Sequence, residues 1–99
     1  MVSNGYGQQF EWALERLRQE FGEERVSMEV SDGGRSVDAY VAPAGGGEGE
    51  GRDPYRMILK DPVLGDVNRV ADPQAFVEAE VGYARSWCAG ESKRARTFG

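Results

Sequence analysis

The chain has 99 residues, no histidine, one cysteine (Cys88) and a formal charge of −5. Without histidine the commonest proton shuttle and metal ligand are missing, which excludes a Ser–His or Cys–His nucleophile and a Cys/His zinc site. The acidic balance argues against a general phosphate-backbone binder and suits either solubility or a basic partner such as a nucleic-acid-binding protein.

A lone cysteine cannot staple the chain, so a reducing compartment is the default. The opening residues, Met1 to Gly7, carry neither the basic region nor the apolar core of a secretory signal. No run approaches the roughly 18 apolar residues of a membrane span. The expectation is one small soluble domain over 1–99, located in the cytoplasm.

Gln8 to Phe21 reads as an amphipathic helix. Phe10, Leu14, Leu17 and Phe21 recur on one stripe, Ser3 or Asn4 is placed to cap the start, and Gly22 is a natural stop. Arg25 to Ala42 reads as a β-hairpin, with Val26, Met28 and Val30 alternating against polar neighbours, as do Val37, Ala39 and Val41. A turn centred on Gly33-Gly34 pairs Val30 with Val37, and one centred on Asp32-Gly33 shifts the partners but keeps the faces. Residues 43–54 hold five glycines and no apolar anchor, and so read as a flexible loop. Tyr55 to Lys60 is a third strand with Tyr55, Met57 and Leu59 on one face, ended by Asp61-Pro62. Within 63–70, a turn at Leu64-Gly65-Asp66 precedes Val67 to Val70, either a short edge strand or an irregular return.

Asp72-Pro73 opens a second helix, an N-cap acid followed by proline at the first helical position. Its stripe of Phe76, Val77, Val81, Ala84, Trp87 and Cys88 runs to about Ala89 with Gly90 as the stop, and Glu91 to Gly99 forms a basic tail with Lys93, Arg94 and Arg96. The order α-β-β-β-α predicts an α+β two-layer sandwich, with both helices on one face of an antiparallel sheet. The sheet has three strands, or four if 63–70 adds one. Trp87 is expected to be largely buried against Phe76 and the hairpin.

Two surfaces are candidates for binding a partner. Trp12 falls opposite the apolar stripe of its helix, among Gln8, Arg16 and Gln19, and exposed indoles are enriched at binding hot spots. The bland alternative is that Trp12 packs against the N-terminal arm, with Tyr6, or against the C-terminal tail. On the outward sheet face lie Glu29, Asp38, Tyr40 and Arg56, with Arg56 and Lys60 placed to offset the two acids. Glu80 falls inside the second helix's stripe, either as a buried acid with general-acid chemistry or as a carboxylate paired with an arginine or tyrosine hydroxyl. Cys88 reads as a small core residue with no basic group nearby. No catalytic, cofactor or metal residue is expected. The reading is a non-enzymatic protein-interaction module such as an adaptor, accessory subunit or inhibitor, with self-association into a homo-oligomer left open. The alternatives are nucleic-acid contact through the tail and sheet face, and a carboxylate enzyme around Glu80.

Overall fold

A computed structural model describes residues 9–45 and 51–90. Helix α1 covers Glu11–Phe21 and buries Ala13, Leu14, Leu17 and Phe21. It starts three residues later than the periodicity implies. Phe10 occupies the cap position with no side-chain hydrogen bond, its carbonyl accepting from the N–H groups of Ala13 and Leu14 at 3.0 Å each. The expected caps Ser3 and Asn4, and the candidate Gln8, lie outside the described residues. Gly22, at φ 98°, ends the helix as expected.

Strands β1 (Val26–Ser31) and β2 (Ser36–Val41) form the hairpin in the Gly33-Gly34 register, Val30 facing Val37 and Val26 facing Val41. Asp32, Gly33 and Gly34 turn the chain with φ of 55°, 65° and 94°, a run of left-handed backbone that explains the two glycines. Strand β3 (Tyr55–Asp61) pairs antiparallel with β2 and carries a bulge, Lys60 facing Val37 while Ile58 faces Asp38. Leu59 is the extra residue, and it is fully buried.

The short strand β4 is Gly65–Asp66, so the edge strand falls just before the Val67 to Val70 segment considered for it. Val67–Arg69 is instead a 3-10 turn that drops Val67 into the core, with Asp66 Oδ1 accepting from Asn68 N at 2.8 Å. Helix α2 covers Pro73–Cys88, capped by Asp72, whose Oδ1 accepts from Ala75 N at 3.1 Å.

The sheet is a meander in the order β1-β2-β3-β4, and with the two helices it makes an α+β two-layer fold. The core lies between the layers: Phe10, Leu14 and Leu17 from α1, Val77, Val81 and Ala84 from α2, and Val37, Val41, Met57 and Leu59 from the sheet. Among the described residues no helix is long and apolar enough to cross a membrane.

Trp87 is only half-buried, a correction to the expectation of deep burial. It sits in the last turn of α2, where carbonyls lack helical partners and attract donors. Arg52 donates to Trp87 O at 3.1 Å and lies 4.2 Å over the indole, whose Nε1 donates to Asp53 O at 2.8 Å. The end of the glycine-rich connection is therefore clasped to α2, while 46–50 lie outside the described residues. So does the tail, Lys93, Arg94 and Arg96 included.

Candidate functional site

The helix-face candidate is consumed by the fold. Trp12 is partly buried against the core, and its Nε1 donates to Asn68 Oδ1 at 2.9 Å. Asn68 Nδ2 in turn donates to Gln9 O at 3.0 Å, so the indole braces α1 against the Val67–Arg69 turn. Trp12 is thus not the exposed anchor its helical position suggests. Arg16 is likewise engaged: its Nε and Nη2 grip the Glu78 carboxylate at 2.6 and 2.9 Å, and its Nη1 reaches Glu20 Oε1 at 3.2 Å. Glu20 then accepts from Arg85 at 2.7 Å, giving a chain of alternating charge between the helices. Glu20 and Glu78 are held below the usual carboxylate range, chiefly by hydrogen bonds from Arg85 and Arg16 respectively. Among the described members of this candidate set, Gln19 is exposed on α1, while Trp12 and Arg16 are half-buried.

The outward sheet face is different. Strand pairing sets Glu29 directly opposite Asp38, and Tyr40 directly opposite Arg56, so all four candidates meet in one patch. Like charges facing across strands repel. Tyr40 Oη donates to Glu29 Oε1 at 3.2 Å, and Arg56 Nη2 pairs with Asp38 Oδ2 at 3.3 Å. The Tyr40 phenol is pushed up, first by burial and then by the Asp38 charge. Lys60 does not join them, because the bulge at Leu59 sets it opposite Val37 and into a cleft with Arg35. Arg56 alone offsets Asp38.

Asp38 is the unusual member. It is 6% exposed, and its Oδ1 is buried with no hydrogen-bond partner. Leaving a buried acceptor unmade costs about 1–3 kcal/mol, a penalty that a partner's donor would remove. Beside it, the Arg56 side chain is 55% exposed and, among the described residues, is paired with Asp38. The patch can accept hydrogen bonds and positive charge.

On the other side of the sheet, Glu80 is 1% exposed and accepts from Tyr55 Oη at 2.7 Å, the tyrosine pairing considered for it. Burial pushes its carboxyl up to about 7, opposed by the Tyr55 hydrogen bond, and pushes the Tyr55 phenol well above its usual value. Glu80 lines none of the described clefts, so its geometry is that of a core group. Burial also raises the Cys88 thiol, against an opposing pull from Arg25, a basic neighbour that the sequence order does not suggest. Among the described residues no three His, Cys, Asp or Glu side chains gather as a metal site.

Asn68, Glu78 and Arg52 are partners that sequence reasoning misses, since each acts across more than thirty residues of chain. No protein-family model, no curated protein and no solved structure matches this chain.

Proposed function

We propose that this chain is a non-enzymatic protein-binding module whose outer sheet face takes a positively charged segment of a partner protein. The observation that carries the reading is the buried, unpartnered Oδ1 of Asp38 beside Glu29. An arginine or lysine entering the patch displaces Arg56, supplies the missing donor and relieves the repulsion between the two acids. The half-buried Tyr40 offers the partner an aromatic ring with a polar tip. Two acids against one arginine make this face a poor seat for a nucleic-acid backbone. A lone thiol raised by burial suits a reducing compartment, in keeping with a cytoplasmic protein.

The test is capture from an extract of the source cells on immobilised protein, followed by titration of the purified captured partner. Asp38→Ala and Glu29→Ala are each expected to weaken that partner about tenfold or more, whereas Gln19→Ala leaves it unchanged. Equal retention by the sheet variants, or loss with Gln19→Ala, overturns the reading.

A further inference from the structure

The described cations divide into three groups. Arg16, Arg18, Arg56 and Arg85 are paired with carboxylates at 2.6–3.3 Å. Arg25 and Arg52 donate to main-chain carbonyls, at 2.8 and 3.1 Å. The remaining three are Lys60 and Arg69, with no ion pair or hydrogen bond among the described residues, and Arg35, whose nearest acid is Asp32 at 3.9 Å. All three line one open cleft of about 750 Å³, between the hairpin turn and the β3–β4 end of the sheet. Among the described residues, the three cations with no close carboxylate partner share this one cleft.

Two acids line the same cleft, and both are oriented by the backbone. Asp61 Oδ2 accepts from Val63 N and Leu64 N at 2.9 and 3.0 Å, and Asp66 Oδ1 accepts from Asn68 N at 2.8 Å. Each keeps a second oxygen with no described donor, in a carboxylate that lines the same cleft as the cations.

We propose that this cleft binds a small phosphorylated polyol of the sugar-phosphate type. Arg35, Lys60 and Arg69 take the phosphate, and the spare oxygens of Asp61 and Asp66 accept from its hydroxyls. Cations suit the doubly charged oxyanion, and carboxylates suit sugar hydroxyls, which are donors as well as acceptors. A site for bare phosphate would gain nothing from two acids. The cleft shares β3 with the sheet patch but none of its four residues, so this inference stands apart from the proposed partner face.

The test titrates the full chain with ribose 5-phosphate, inorganic phosphate and ribose, read by calorimetry and amide chemical shifts. Ribose 5-phosphate is expected to bind about tenfold more tightly than phosphate, with ribose weaker still and the shifts centred on Gly65 and Asn68. The double variant Lys60→Gln/Arg69→Gln should weaken it by about tenfold or more with an unchanged melting temperature. The shift map of the parent protein decides the matter if that variant fails to fold. Phosphate binding as tightly as the sugar phosphate, shifts away from the cleft, or an affinity indifferent to the double variant overturns the proposal. Tighter binding of a single-stranded oligonucleotide also overturns it.

Discussion

Glu80 and Asp38 are both buried carboxylates, one under the helices and one on the opposite face of the sheet, and they are partnered differently. Glu80 sits 1% exposed with the Tyr55 hydroxyl 2.7 Å from Oε1. Asp38, 6% exposed, has one oxygen held by a solvent-accessible arginine and the other by nothing. The core acid thus keeps a hydroxyl donor, whereas the acid on the outer face has one buried oxygen whose hydrogen bond is unmet.

The largest effect that would sharpen this contrast is a pH dependence owed to Glu80. Its folded-state value of about 7 lies above the usual 4.5, so the native chain holds this proton more tightly than the unfolded chain. Stability from this group therefore falls as pH rises from about 4.5 to about 7, and the full penalty applies above that window. Glu80→Gln keeps an acceptor for Tyr55 and cannot ionise. It should match the parent near pH 4.5 and exceed it by on the order of 3 kcal/mol at pH 8, measured by urea unfolding. A constant difference across that range would break the account.

Next in size is Tyr55→Phe, which leaves the Glu80 carboxylate buried without its donor. It should cost about 2 kcal/mol at pH 8, and less in acid, where the carboxyl is neutral. The smallest effect has the opposite sign. Asp38→Thr removes the orphaned oxygen and the repulsion with Glu29, and places a β-branched residue in a central strand. It should raise stability by about 1 kcal/mol in the same assay. A loss instead would show that Asp38 serves the fold, and the two acids would no longer differ in kind.

Much of this arrangement is legible in local sequence. Asp32-Gly33-Gly34 specifies a turn that needs positive φ and brings Glu29 near Asp38 in either of the two registers it allows, of which the chain takes the one centred on Gly33-Gly34. Asp72-Pro73 marks the start of α2 for equally local reasons. What escapes is whatever depends on distant chain. Trp12 lies on the polar side of its own helix, and only Asn68, 56 residues away, makes it structural. Lys60 belongs with Arg56 by alternation, until a bulge at Leu59 that no residue type announces redirects it. Arg52 lies in a segment that reads as linker, and its role emerges only once the α2 carbonyls arrive beside it.

The meander order of the sheet has a kinetic consequence. Every strand pairs with its neighbour in the chain, so the sheet can zip from the hairpin outward with short loop closures. The contacts that join α1 to the end of the domain, Trp12 to Asn68, Arg16 to Glu78 and Glu20 to Arg85, span 56, 62 and 65 residues and close long loops. The sheet is then the early nucleus and helix docking the late step, an order that φ-values at Leu59 and Leu17 would read as high and low respectively.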